Sequence, residues 1–125
     1  MRVLIADSHP EVRSALKLLL TEKRDVAYIA EATGSDDLAH LLTVVNPDLL
    51  LLEWELPGIK PAELVSGILR SNSSISVIII SSRPQVRRIA LESGAVDFIC
   101  KSDPPEKLVE ALDRCCGGFQ GSSRS

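Results

Sequence analysis

Residues 47–58 read Pro-Asp-Leu-Leu-Leu-Leu-Glu-Trp-Glu-Leu-Pro-Gly, and the four consecutive leucines decide the fold class. An amphipathic helix places apolar residues at every third or fourth position, and a half-exposed strand at every second one. An unbroken apolar run fits neither pattern. Bounded by Asn46-Pro47 on one side and Leu56-Pro57-Gly58 on the other, it fits a strand buried on both faces. Such strands belong to parallel sheets covered by helices on each side. The strand is predicted over Asp48 to Glu53. It delivers an acid at its carboxyl end, where open α/β sheets gather their functional groups.

Four further runs of the same kind flank it: Val3 to Ala6, Val26 to Ala30, Ile75 to Ser81 and Val96 to Cys100. Helical periodicity fills the intervals. Pro10 opens the first helix, with Ser8 as the candidate cap and Val12, Ala15, Leu16, Leu19 and Leu20 on one face. Ser35, Asp36 and Asp37 supply the cap and first-turn acids of the second, whose inner face is Leu38, Leu41, Leu42 and Val45. Asn46-Pro47 ends that helix, because proline restricts the residue before it. Pro61 starts the third around Leu64, Val65, Ile68 and Leu69. Pro84 starts the fourth with Val86, Ile89 and Ala90 inward and Gly94 as its C-terminal cap. Pro104-Pro105 starts the fifth, with Leu108, Ala111, Leu112 and Cys115 on one side. Five strand–helix units joined by short connections predict an α/β fold: a flavodoxin-like, doubly wound, five-stranded parallel sheet of order 2-1-3-4-5 with five helices. One domain is expected over residues 1–116. The Gly- and Ser-rich stretch 117–125 is expected to be a flexible linker or tail.

Composition narrows the function. The 125 residues suit a single domain, and a formal net charge of −3 provides no global basic field for nucleic acid. Aromatic residues make up only 3%, too few for a platform that stacks bases or a flavin. The apolar runs Leu49 to Leu52 and Val77 to Ile80 are too short to cross a bilayer, and the N-terminal residues lack a secretory signal, so a cytoplasmic protein with no membrane partner is expected. Cys100, Cys115 and Cys116 form neither a disulfide framework nor a zinc motif and read as partly buried thiols.

The first, third, fourth and fifth strands end in Asp7, Glu53, Ser81 and Cys100-Lys101. Two acids, a hydroxyl and an ammonium therefore converge on one rim of the sheet. No catalytic serine–histidine–acid set, Walker-type loop or GxGxxG run accompanies them, so an enzyme is not expected. His9 is read as a solvated loop residue, and Trp54 as a loop residue packing on the third helix. Arg83, Arg87, Arg88 and Glu92 form a charged face on the fourth helix, with Asp97 and Arg114 on the same side. That face is either simply solvated or an interaction surface.

Asp7-Ser8-His9-Pro10 with Val12-Arg13, Glu53 followed by Leu56-Pro57-Gly58, Ser81-Ser82, Phe98 and Lys101 occur in this order and spacing. From Val3 to about Cys115 the chain thereby resembles the CheY-like receiver domain of two-component response regulators, in its NarL/LuxR-type subgroup. The resemblance implies a phosphorelay. A carboxylate at position 53 takes a phosphoryl group from a histidine kinase, a pair of acids after the first strand holds Mg²⁺, and Ser81 and Lys101 grip the phosphoryl oxygens. Phe98 occupies the switch position, and a DNA-binding effector domain follows in relatives that regulate transcription.

Two positions depart from that pattern. Glu53 stands where the family has aspartate, and Ser8 where it has the second metal-binding acid. The extra methylene of Glu53 displaces its carboxylate by about 1.5 Å, and a misplacement of roughly 1 Å can cost on the order of a hundredfold in rate. The expectation is a pseudo-receiver that acts by protein–protein interaction and is not phosphorylated in the usual way. The alternative is a working phosphoryl-accepting receiver with a weakened Mg²⁺ site. Glu53 is expected within salt-bridge distance of Lys101, with Ser81 donating a hydrogen bond to it. Asp7 either binds a metal weakly or pairs with Lys101, so no cofactor beyond weak Mg²⁺ is expected. A protein partner or a second copy is expected on the face made by the fourth helix, fifth strand and fifth helix, around Arg87, Arg88, Asp97 and Arg114. A flavodoxin-like redox or nucleotide-binding role lacks both the hydroxyl-rich phosphate loop and the stacking aromatics.

Overall fold

The computed structural model describes residues 1–117; apart from Gly117, the predicted linker lies outside the described residues. The elements are β1 (Arg2–Ala6), α1 (Pro10–Thr21), β2 (Tyr28–Ala32), α2 (Ser35–Val45), β3 (Leu49–Glu53), α3 (Pro61–Ser71) and β4 (Ser76–Ser81). A 3-10 turn (Pro84–Val86) then leads into α4 (Arg87–Glu92), β5 (Asp97–Cys100) and α5 (Pro105–Leu112), which a π-helical turn (Asp113–Gly117) continues. The five strands form one parallel sheet in the order β2-β1-β3-β4-β5, as expected from the sequence. No described helix is long and apolar enough to cross a membrane.

The four leucines of β3 hold the two layers together. Leu50 and Leu52 face a core shared with Leu38 of α2, Val65 of α3 and Ala90 of α4. Leu49 and Leu51 face the opposite core, with Leu16 and Leu20 of α1 and Leu108, Ala111 and Leu112 of α5. All four are fully buried, each contributing about 2 kcal/mol relative to exposure. Alternation along a strand thus spends a continuous apolar run on two cores at once.

Local chemistry adjusts several predicted boundaries. The second strand begins at Tyr28, two residues later than its apolar run, because Ala27 N–H donates to Met1 and ladder pairing starts at Arg2 opposite Tyr28. Gly34, not Ser35, is the N-cap of α2, and the Asp37 carboxylate accepts from the backbone N–H groups of Thr33 and Gly34. Ala15 faces solvent. Ile89, expected inward, is 53% exposed. In α4 the buried residue is Ala90, and its neighbour Ile89 lies about 100° away around the helix. Asn46 ends α2 in the left-handed conformation, and Gly94 after α4 has φ +117°.

Candidate functional site

Parallel register brings the carboxyl ends of β1, β3, β4 and β5 level. Ala6 pairs with Leu52, Glu53 with Ile80, and Ser81 with Cys100. Asp7, Glu53 and Ser81 are buried polar residues at this rim, and Lys101 follows the last strand. Its Nζ lies 3.0 Å from Glu53 Oε2, 3.1 Å from Asp7 Oδ2 and 3.0 Å from His9 Nδ1. The contact with Asp7 is an ion pair by distance; its geometry falls short of a hydrogen bond. The other oxygen of Glu53 accepts two donors from Ser8, the backbone N–H and the hydroxyl, each at 2.9 Å. Both oxygens of this acid are therefore committed.

Charge follows from those contacts. Burial works against ionisation of Glu53, but the Ser8 N–H, the Lys101 ammonium and the Ser8 hydroxyl outweigh it and hold the carboxyl below its ordinary value. Burial likewise works against the Lys101 charge, and the contacts with the Glu53 and Asp7 carboxylates reverse the balance, so its pKa is raised. Arg13 supports the site from α1. It donates from Nη1 to the Asp7 carbonyl at 2.8 Å and from Nε to Glu31 at 2.9 Å, tying the end of β1 to β2. Hydrogen bonding from Lys17, opposed by burial and reinforced by Arg13, keeps Glu31 below the ordinary carboxylate range.

Three sequence expectations are corrected here. Ser81 does not donate to Glu53; its hydroxyl donates to Glu55 Oε2 at 2.6 Å. Ser8 does not cap α1, whose N-cap is His9 with no side-chain hydrogen bond, because the Ser8 hydroxyl serves Glu53. His9 is half-exposed yet not simply solvated, since Nδ1 lies 3.1 Å from Asp7 Oδ1 and 3.3 Å from Glu53 Oε2. One ring nitrogen cannot donate to Asp7 and accept from Lys101 in the same protonation state, so these contacts are alternatives. Glu55 was missed by sequence reasoning. It lies in the turn after β3, where strand alternation does not set direction, so only its acidity and nearness to Glu53 could have flagged it. A pocket of about 310 Å³ lies over the rim, lined by His9, Glu11, Val12, Glu53, Glu55, Ser82 and Lys101.

On the neighbouring face, Phe98 is buried and Arg87 covers it, with its guanidinium 5.8 Å from the ring centroid and 3.5 Å from the Phe98 carbonyl. Arg88 pairs with Glu92 at 3.2 Å, and Arg114 pairs with Asp97. The four predicted surface residues thus have intramolecular partners or cover for neighbours. The exposed apolar residues beside them, Ile89, Val96 and Val109, were not foreseen as a group.

A family profile for the response regulator receiver domain matches residues 3–113. The chain belongs to the response regulator receiver family. It is 27% identical over 118 residues to the nitrate/nitrite response regulator NarL of Escherichia coli K12, covering 93% of this chain and 55% of that protein. It is 26% identical over 121 residues to the response regulator GacA of Pseudomonas aeruginosa, covering 94% and 56%. The receiver therefore spans about half the length of the curated relatives it matches. Among solved structures, the signal receiver domain of a NarL homologue from Mycobacterium tuberculosis superposes with a TM-score of 0.78 at 28% identity, covering 94% of this chain and 96% of that one. A LuxR-family response regulator from Aurantimonas gives 0.82 at 26% identity, covering 94% and 85%.

Receivers hold Mg²⁺ through a pair of acids beside the phosphoacceptor, and the side chains here fit that ion poorly. Mg²⁺ takes oxygen ligands in tight octahedral geometry. Among the described residues, the three side chains whose donor atoms lie within 4.8 Å of one another are Asp7, His9 and Glu53, one of them a nitrogen donor. The Lys101 ammonium contacts all three of them, and Ser8 N–H and O–H point at the remaining oxygen of Glu53. The Lys101 ammonium already offsets one of the two carboxylate charges of Asp7 and Glu53.

Proposed function

We propose that this receiver signals through protein contact without being phosphorylated in the usual way. One observation carries the reading: both carboxylate oxygens at the phosphoacceptor position are already held, Oε2 by Lys101 and Oε1 by Ser8. A nucleophile must present a free lone pair in line with the phosphoryl group. On Glu53, Oε1 has both lone-pair directions taken by Ser8 and Oε2 is held by Lys101, so the lysine that would neutralise an incoming phosphoryl group is paired with Glu53 instead. On this reading no metal is needed, and Asp7 serves as the second partner of Lys101.

The partner surface in this reading is the α4–β5–α5 face, which carries Arg87, Arg88, Asp97 and Arg114 together with the exposed Ile89, Val96 and Val109. Its occupant is a protein partner or a second copy. A solved relative, RcsB of Salmonella enterica, is bound to promoter DNA in the presence of a phosphomimetic; this chain covers 66% of that one, at 26% identity and a TM-score of 0.79. By analogy we propose that a DNA-binding effector domain accompanies this receiver, that a histidine kinase is at most a docking partner, and that the protein works in the cytoplasm. The decisive experiment incubates the chain with Mg²⁺ and acetyl phosphate and weighs the intact protein. An unchanged mass is expected. A gain of one phosphoryl group, mapped to Glu53, would establish the competing reading of a working phosphoacceptor.

A further inference from the structure

In a reactive receiver the hydroxyl ending the fourth strand is drawn toward the phosphoryl group. Here that hydroxyl is already drawn elsewhere. Ser81, fully buried, donates to Glu55 Oε2 at 2.6 Å, a length typical of a hydroxyl bound to an ionised acid. The same Ser81 oxygen accepts from the backbone N–H of Arg83 at 3.0 Å. One side chain from the loop after β3 thereby holds the first residues of the loop after β4.

We infer that Glu55 is the positioning residue that sets the β4–α4 loop, and that two acids divide the work a single phosphoryl group would do: Glu53 holds Lys101 and Glu55 holds Ser81. The two roles are not interchangeable. Glu53 is engaged by Ser8 at Oε1 and by Lys101 at Oε2, and Ser81 finds its acceptor in Glu55 instead. Glu55, just beyond the end of β3, meets Ser81 at the end of the adjacent strand β4.

The consequence travels through short covalent steps. Arg83 is the residue whose carbonyl accepts from Val86 N–H at 3.2 Å and so starts the 3-10 turn. That turn runs directly into α4, whose first residue, Arg87, covers buried Phe98 and approaches its carbonyl. The Ser81 carbonyl meanwhile accepts from Lys101 N–H at 2.8 Å, so β4 and β5 are tied at the same level. Fixing the Ser81 hydroxyl fixes Arg83, and with it the entry of α4 and the guanidinium that closes over Phe98. The interaction face is held in one arrangement by an internal carboxylate, with no modification required.

This inference rests on the reading that the domain is not phosphorylated in the usual way, and its test is separate from the mass measurement. Backbone amide hydrogen exchange is measured on the full chain as wild type, Glu55→Ala, Glu55→Gln, Ser81→Ala and the Glu55→Ala/Ser81→Ala pair. Glu55→Ala is expected to speed exchange across residues 83–92 on the order of tenfold while β1, β2 and β3 keep their protection. Glu55→Gln, whose amide oxygen still accepts, is expected to give a smaller effect. Ser81→Ala should affect the same segment, and the double variant should add nothing to it. Unchanged exchange in Glu55→Ala overturns the inference, as do additive effects in the double variant or acceleration spread evenly over the whole domain. If exchange behaves as expected while Glu53 gains a phosphoryl group, the role of Glu55 stands and the non-phosphorylated reading fails.

Discussion

Glu53 reaches about 1.5 Å further than an aspartate would from the same backbone position, and that reach lets one carboxylate meet Ser8 and Lys101 together. The Glu53–Lys101 contact was legible in the sequence, because two strand ends on neighbouring levels fixed both side chains. The partner of Ser81 was not. Its acceptor comes from Glu55 beyond the end of β3, where strand alternation no longer guarantees direction. The ionisation of Glu53 gives a measurable consequence. Its pKa is lowered from the ordinary 4.5, so the ionised acid contributes stability above that value, and the contribution is lost as pH falls through the lower native value. Glu53→Gln removes it. Urea unfolding should show the variant less stable than wild type by roughly 2 kcal/mol at neutral pH, with the gap narrowing steadily below pH 4.5. A gap that stays constant down to strongly acidic pH would show that Glu53 is not held in its charged form.

At the scale of elements, the strands were easier to read than the entries and exits of the helices. Unbroken β-branched and leucine runs have one low-energy use, burial on both faces, and β1, β3, β4 and β5 fall within a residue or so of expectation. Helix α4 is short, with Ala90 its buried residue, and Ile89 is exposed alongside Arg88 and Glu92. The exit of α4 was legible. Gly94 adopts φ +117°, and a Cβ there would lie 2.5 Å from Leu69 Cδ1 of α3. Two costs combine, a backbone conformation that side chains rarely adopt and a collision with a packed leucine. Gly94→Ala is expected to lower stability by about 2–3 kcal/mol in thermal or urea unfolding. A melting temperature equal to wild type would mean that α3 and α4 can separate at this point without loss, contrary to the packing of Leu69 and Val65 around it.

For the whole molecule, the fold and the chemistry at its rim are separable. Both cores lie along the body of the sheet, whereas the departures at positions 8 and 53 sit at the carboxyl ends of β1 and β3. Changing them leaves the buried leucines, the register and the helix packing in place, so the scaffold should carry either chemistry. Ser8→Asp would return a second acid beside Asp7 and withdraw the hydroxyl that Glu53 accepts. Glu53→Asp would draw the carboxylate back toward β3 and loosen its contact with Lys101, freeing the ammonium for an incoming phosphoryl oxygen. Together the two changes supply the oxygen donors that Mg²⁺ prefers and, on the proposed reading, shorten a carboxylate too long for in-line attack. The double variant is therefore expected to gain a phosphoryl group from acetyl phosphate only when Mg²⁺ is present, with each single variant gaining far less. Intact mass with and without Mg²⁺ reads the outcome, and a melting curve checks that the domain is folded. A folded double variant that stays unmodified would show that the two substituted side chains are not what withholds reactivity, and attention would pass to the carboxylate of Glu55 and its hold on Ser81.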